Sequence, residues 1–141
     1  MQTSARNAFE GRVAALERGA VNTLVTVDIG GDQTIVATIT NDSAERLGLA
    51  EDRDVTALIK ATSVLVSTAG DNRTSARNFL SGTVREVVPG AVNSVVLVDI
   101  GGGRTLTATV TNESVKRLGL EKGSATAGLF KASAVILATG D

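Results

Sequence analysis

The sequence predicts a mainly β protein made of two small barrels in tandem, each carrying one short helix. Three observations predict it. The 141 residues repeat themselves at a constant shift of 71. Within each copy, alternating β-branched runs are separated by glycine turns, the pattern of short half-buried strands. The core must also be aliphatic, because 43% of residues are hydrophobic while the chain has only three Phe and no Trp or Tyr.

The repeat needs no gap. Thr3-Ser4-Ala5-Arg6-Asn7 falls on Thr74-Ser75-Ala76-Arg77-Asn78, Gly19-Ala20-Val21-Asn22 on Gly90-Ala91-Val92-Asn93, and Arg46-Leu47-Gly48-Leu49 on Arg117-Leu118-Gly119-Leu120. Of the 70 aligned pairs, 32 are identical. The join from Ser67 to Arg73 is small and polar, as a connector should be. The expected domains are therefore 1–69 and 74–141, with 70–73 as linker. A lone unit of about 70 residues buries only roughly 60% of its unfolded surface, so the copies are expected to pack together or oligomerise.

Each element follows from local chemistry. Ala8 to Leu16 reads as a leading strand. Val21 to Ile29 alternates, Gly30-Gly31-Asp32 is a turn signal, and Thr34 to Thr40 resumes the alternation, which makes a hairpin. Asn41-Asp42-Ser43 offers N-cap oxygens ahead of Ala44-Glu45-Arg46-Leu47, and Gly48 is a stop, which predicts a helix of one or two turns. Val55 to Ile59 and Val64 to Ser67 form the last strand region, broken at Ala61-Thr62-Ser63. Four or five short strands with one small helix indicate a compact barrel of the OB type.

Composition excludes several functions. With no Cys and no His, the usual ligands for structural zinc, iron–sulfur clusters and haem are missing, and so is the commonest general base. No Ser lies in a nucleophile elbow. Asp28 and Asp99 precede glycines at strand ends, where turn capping accounts for them. The diglycine turns sit between strands and lack the Gly-Lys-Ser/Thr of a phosphate loop. These features predict a binding protein and not an enzyme, with no cofactor and no bare metal ion. No apolar run reaches the 18 residues of a membrane helix, and the start, MQTSARNAFEGR, has no apolar signal region. The expectation is a cytoplasmic protein without a membrane partner.

Charge is the property the copies do not share. The whole chain has a formal charge of −1, but residues 1–70 carry six bases and nine acids, whereas residues 72–141 carry eight and five. The contrast reads either as surface drift or as attraction between unlike copies. The near-neutral total and the scarcity of aromatics argue against a nucleic-acid-binding OB protein, which wants a basic groove and stacking platforms.

Both copies retain a set of groups suited to an anion: Ser4 and Arg6 with Lys60 and the helix-start hydroxyl Ser43, and Ser75 and Arg77 with Lys131 and Ser114. A helix start offers backbone N–H groups, Arg a rigid fork of donors and Lys a compact charge. One Arg and one Lys balance a dianion. Taken singly, Arg6 and Lys60 also read as surface residues and Ser43 as a helix cap. Taken together, they recur at one register in two copies.

These residues resemble a known family. The Thr-Ser-Ala-Arg-Asn start with a Gly-x-Val strand, Gly-Ala-Val-Asn, the diglycine hairpin, the Ser-x-x-x-Leu-Gly-Leu helix and the closing Lys-Ala strand are similar to the Mop, or TOBE-like, domain. Two gapless copies resemble the tandem-Mop molbindins, cytoplasmic molybdate-binding proteins, over the whole chain. The resemblance implies OB-like barrels, assembly as a homotrimer, and molybdate or tungstate held at interfaces between domains for molybdenum storage and homeostasis. It places the main sites on Thr3, Ser4, Arg6, Ser43, Ala44 and Lys60, and on Thr74, Ser75, Arg77, Ser114, Val115 and Lys131. It places secondary sites near a three-fold axis on Gly19, Ala20, Val21 and Asn22 and on Gly90, Ala91, Val92 and Asn93, through backbone N–H groups and the Asn amide. Ala44 becomes Val115 in the second copy, which is harmless if only the backbone N–H contributes. Mop-like domains also occur fused to transport ATPases and transcription regulators, so a regulatory module of a molybdate transport system is the alternative function, beside the nucleic-acid-binding one.

Overall fold

A computed structural model describes residues 2–140. The chain forms two compact units: unit 1 is Met1–Ile59 with Lys131–Asp141, and unit 2 is Lys60–Phe130. These bounds cross those of the sequence copies.

Unit 1 contains β1 (Asn7–Arg18), β2 (Asn22–Gly30), β3 (Gln33–Thr40), α1 (Asn41–Arg46) and β4 (Asp54–Ile59). Unit 2 contains β5 (Leu65–Thr68), β6 (Asn78–Pro89), β7 (Asn93–Gly101), β8 (Arg104–Thr111), α2 (Asn112–Leu118) and β9 (Ala125–Phe130). The last strand, β10 (Ile136–Ala138), belongs to unit 1. The sheet of unit 1 runs β10-β4-β1-β2-β3 and that of unit 2 runs β5-β9-β6-β7-β8.

The expected elements are all present, with strand ends shifted by one or two residues and the helix beginning at Asn41, three residues before the expected Ala44. The partner of the last strand differs from the expectation. β5 follows β4 in the sequence but pairs with β9, and β10 pairs with β4. Periodicity identifies a strand without naming its neighbour, and the break at Ala61–Ser63, a single 3-10 turn, is where the chain leaves one sheet for the other.

The long first strand makes the barrel. Asn7 to Arg12 pair with β4, and Arg12 to Arg18 pair with β2, so β1 serves two neighbours along its length. The register shifts between Val13 and Ala15, and Ala14 and Ala15 are both exposed, the mark of a bulge that bends and twists the strand. β6 repeats this between Val84 and Glu86. Gly11 sits where the bent strand meets β2, since a Cβ there would collide with the Asp28 carbonyl oxygen; Gly82 meets the Asp99 carbonyl in the same way. In unit 1 the 3-10 turn Ala132–Ala134 and β10 pack on β3, and in unit 2 the turn Ala61–Ser63 and β5 pack on β8, which brings the sheet edges together.

The interiors are aliphatic as expected. Val13, Val25, Val27, Ile35 and Ala37 are fully buried in unit 1, as are Val96, Val98, Leu106, Ala108 and Ala127 in unit 2. Each fully buried Val or Ile contributes about 1.5–3 kcal/mol relative to exposure.

Candidate oxyanion site

At the start of β1, Thr3, Ser4 and Arg6 are exposed. The Thr3 hydroxyl accepts from the Ala5 N–H at 3.3 Å, which turns the segment before the strand. The next residue, Asn7, is buried, and its side-chain amide donates to the Ile59 carbonyl at 3.2 Å. Asn7 and Ile59 are the last ladder pair of β1 and β4. Arg6 lies one residue before that pair and Lys60 one residue after it, so a buried clamp fixes the backbone from which both cations project.

In the second copy Asn78 is likewise buried and forms the last ladder pair with Phe130, and Arg77 and Lys131 flank that pair. Its approach segment is held more tightly. The Asn72 side chain accepts from the Thr74 N–H at 3.0 Å and from the Thr74 hydroxyl at 2.7 Å, and donates to the Ala76 carbonyl at 2.7 Å.

At the helix, the structure corrects the expected cap. Thr40 is the N-cap of α1, not Asn41, Asp42 or Ser43: the Thr40 hydroxyl oxygen accepts from the Ser43 N–H at 3.1 Å. Thr111 does the same for Ser114 at 3.1 Å. The last β-strand residue already carries a side-chain oxygen at the right offset, so the cap falls one residue earlier than the polar cluster. In consequence the amides of Ser43 and Ser114 are occupied. Their hydroxyls remain: Thr40 donates to the Ser43 hydroxyl at 2.9 Å and Thr111 to the Ser114 hydroxyl at 2.8 Å, which leaves each Ser proton available to an acceptor. Ala44 and Val115 are half-buried and follow these serines in the first turn.

The Gly19–Asn22 turn lies beside the helix. The Gly19 N–H donates to the Asn22 carbonyl at 2.7 Å, so that amide is also occupied. The amides of Ala20 and Val21, and of Ala91 and Val92, carry no hydrogen bond among the described residues. Val21 and Val92 are 70% and 71% exposed, large apolar side chains at a surface tip. Asn41, whose role the sequence reading missed, staples this turn to the helix. Its amide donates to the Gly19 carbonyl at 3.0 Å, its backbone N–H donates to the Val21 carbonyl at 2.9 Å, and its side-chain oxygen accepts from Thr23 at 2.6 Å. Asn112 makes the same set in unit 2. The signal was available as an Asn kept at one position in both copies, but nothing in its spacing specifies so distant a partner.

Each unit thus brings the helix and the turn together and keeps the Arg6 or Arg77 segment apart. Asn7 and Arg18 are the two ends of β1, and α1 stands at the Arg18 end, where Arg18 pairs with Glu45 at 2.9 Å. A twelve-residue strand spans on the order of 30 Å. Beside α1, a groove of about 440 Å³ is lined by Thr40, Ser43, Arg46, Leu47, Ser133 and Ile136, among others. It offers hydroxyls and a guanidinium next to exposed aliphatic surface. Among the described residues no cluster of His, Cys, Asp and Glu is suited to a metal ion, and no helix is long and apolar enough to cross a membrane.

Comparison with known proteins places the chain in a family. The TOBE domain model matches residues 3–66 and again 74–137. The chain belongs to the TOBE domain family. The two TOBE matches cover both sequence copies, including the Arg6 and Arg77 segments and both helices. Among relatives, the chain is 45% identical over 139 residues to the molybdenum transport protein ModE of Herbaspirillum seropedicae, covering 98% of this chain and 52% of that protein. It is 41% identical over 139 residues to the molybdenum-pterin-binding protein MopA of Rhodobacter capsulatus, with the same coverage. The chain spans about half the length of the curated relatives it matches. A solved structure agrees over its whole length: the cytoplasmic molybdate-binding protein ModG, crystallised with molybdate bound, superposes with a TM-score of 0.95 at 44% identity, covering 99% of this chain and 100% of that one. The tandem OB-like architecture and the Mop-type family likeness expected from the sequence both hold.

Proposed function

We propose that this TOBE protein binds molybdate, and tungstate by the same chemistry, as an intact oxyanion in the cytoplasm, serves molybdenum storage and homeostasis, and performs no reaction on the anion. The observation that carries the reading is the end-to-end likeness to ModG, whose crystals hold molybdate. Sequence copies 1–69 and 74–141, joined by 70–73, are the units of duplication. The geometry adds how binding works. A tetrahedral dianion needs cations and several hydrogen-bond donors, and an unpaired buried dianion is very costly. Thr3, Ser4, Arg6 and Lys60 supply one half of that set, and Ser43 with Ala44 the other; Thr74, Ser75, Arg77 and Lys131 pair in kind with Ser114 and Val115. Because the halves stand at opposite ends of β1 and of β6, each site is completed where the strand start of one chain meets a helix of another copy of the chain. A homotrimer of the chain provides such junctions, and the Gly19–Asn22 and Gly90–Asn93 turns with their spare amides supply secondary sites at its three-fold axis. Anion binding then stabilises the assembly by mass action.

Native mass spectrometry with and without molybdate tests the assembly and counts bound anions together. Calorimetry on the double variant Arg6→Ala, Arg77→Ala tests the site: most molybdate uptake should vanish while the fold stays intact. Unchanged stoichiometry and affinity overturn the assignment.

One observation favours a second reading. ModE relatives, among them the DNA-binding transcriptional dual regulator of Escherichia coli at 35% identity, are about twice as long as the matched region. On this reading the chain is the anion-sensing half of a regulatory system and acts through a separate partner. A filter-binding assay with DNA at low salt, with and without molybdate, separates a chain that contacts DNA itself from one that does not.

A further inference from the structure

We propose that the strand closing unit 1 exchanges between copies of the chain, so that β10 of one chain docks on β4 of a second. The partner is another copy of this chain, and the docked pose is the one already seen within it. A single chain performs the operation twice. The last strand of the first sequence copy, β5, closes unit 2, and the last strand of the second copy, β10, closes unit 1. Neither strand turns back onto the copy that it ends.

The connectors explain this. After β4 and after β9 an extended Lys, with φ −68° at Lys60 and −71° at Lys131, leads into one 3-10 turn. The Ser63 N–H donates to the Lys60 carbonyl at 2.9 Å, and the Ala134 N–H donates to the Lys131 carbonyl at 3.0 Å. Val64 and Val135 are extended again, and the strands that follow pair with β9 and with β4. Ala61 and Val64 are buried where β5 joins unit 2, and Ala132, Val135 and Leu137 where β10 joins unit 1. The segment's contacts with β3 and β4 are equally open to the same segment of another copy.

β10 is the strand placed to exchange. β5 pairs four residues, carries the added Thr126 to Ser67 bond, and is tied to β6 of its own unit through residues 69–77. β10 pairs three residues and reaches unit 1 only by way of unit 2. Exchange keeps every docking contact, so chain entropy decides the balance. With a tethered segment acting at an effective concentration on the order of 1 mM, the exchanged share is below about 1% at about 1 μM chain and about a third at about 300 μM.

The chain has no Cys, so placed cysteines report cleanly. Thr56 and Ala138 are a ladder pair of β4 and β10. The full chain carrying Thr56→Cys and Ala138→Cys is unfolded in guanidinium, refolded across that concentration range without molybdate, and oxidised. On a non-reducing denaturing gel it should run as a single chain at the low end and increasingly as a covalent dimer at the high end. The intrachain disulfide at the low end also shows that the variant folds; the neighbouring pair, Leu58→Cys with Ile136→Cys, serves if it does not form. The two single variants refolded together at high concentration should link to each other. Mixed only after separate folding, they should stay unlinked. A complete intrachain disulfide with no dimer at any concentration overturns the proposal, as does linking that is equal whether the chains are mixed before or after folding. Either failure leaves the molybdate reading standing, because no step involves the anion.

Discussion

Unit 2 is a single unbroken stretch of chain, whereas unit 1 is assembled from two pieces separated by the whole of unit 2. Both build the same five-stranded order from matching residues. The edge strand that closes unit 2 arrives first and pairs four residues with β9, and the Thr126 hydroxyl adds a bond to the Ser67 carbonyl at 2.7 Å. The edge strand that closes unit 1 arrives last and pairs only three residues with β4. Identical patterning therefore yields units of unequal independence. Self-similarity along a chain shows which residues are equivalent; which residues pack together depends on where a short connector such as Ala61–Ser63 sends the next strand.

The largest effect should come from breaking that dependence. Removing residues 131–141 strips the buried Val135 and Leu137 from unit 1 and uncovers the edge of β4, while unit 2 keeps every strand of its sheet. Unit 1 should unfold and unit 2 persist. Limited proteolysis followed by mass spectrometry should then yield a protected fragment close to 60–130. A protected fragment matching 1–69 would mean that the sequence copies, and not the spatial units, are the folding units.

Next in size are the two close approaches. Gly11→Ala and Gly82→Ala each place a Cβ against a backbone carbonyl that cannot move without breaking the hairpin, and each should cost about 2–3 kcal/mol. Thermal denaturation of the two variants sharpens the comparison, because each should lower the transition of its own unit. Equal lowering of one shared transition by either variant would show that the units melt as one.

These cases mark how far the sequence carries. Strand positions, the hairpin, the helix and the aliphatic core were readable because alternation, glycine turns and β-branching are local. The bulge at Ala14-Ala15 was not, since an extra residue in β1 leaves a pattern that still alternates on either side. The pairing of β5 and β10 was not, because both strands have the same local character and differ only in their distant partner. For the site, Arg6, Lys60 and Ser43 were legible as equivalent residues in two copies. Their separation to opposite ends of β1 was hidden, because it depends on strand direction and register. The cap at Thr40 was missed for a smaller reason: Asn41-Asp42-Ser43 offers three better-known capping side chains, yet the backbone is still extended at Thr40, with φ −70° and ψ 151°.

That cap gives the third prediction. Thr40→Ala and Thr111→Ala each remove an acceptor for a serine amide and a donor to a serine hydroxyl, and each should cost about 1 kcal/mol. The two should be alike in stability, since the caps are geometrically alike. Hydrogen exchange at the Ser43 and Ser114 amides reads the loss directly, with faster exchange expected at the matching serine only. Protection that persists at Ser43 in Thr40→Ala would show that another acceptor takes over the cap.

The smallest effect separates the units by charge alone. The Arg18–Glu45 pair is 2.9 Å long, but its side chains are 61% and 62% exposed, so water and salt screen it and its contribution should stay below about 0.5 kcal/mol. A double-mutant cycle of Arg18→Ala and Glu45→Ala should return a coupling within that bound, vanishing in 1 M salt, where the Debye length is about 3 Å. Unit 2 offers the natural control: with Pro89 and Lys116 in these positions it holds its equivalent helix without any such pair. A coupling above about 1 kcal/mol would mean that the pair orders α1 and does not merely decorate it. The helix ends would not explain such a coupling, because α1 and α2 close alike: Gly48 and Gly119 are both left-handed, at φ 63° and 64°, and the Leu49 and Leu120 amides donate back to the Ala44 and Val115 carbonyls at 3.1 and 3.0 Å.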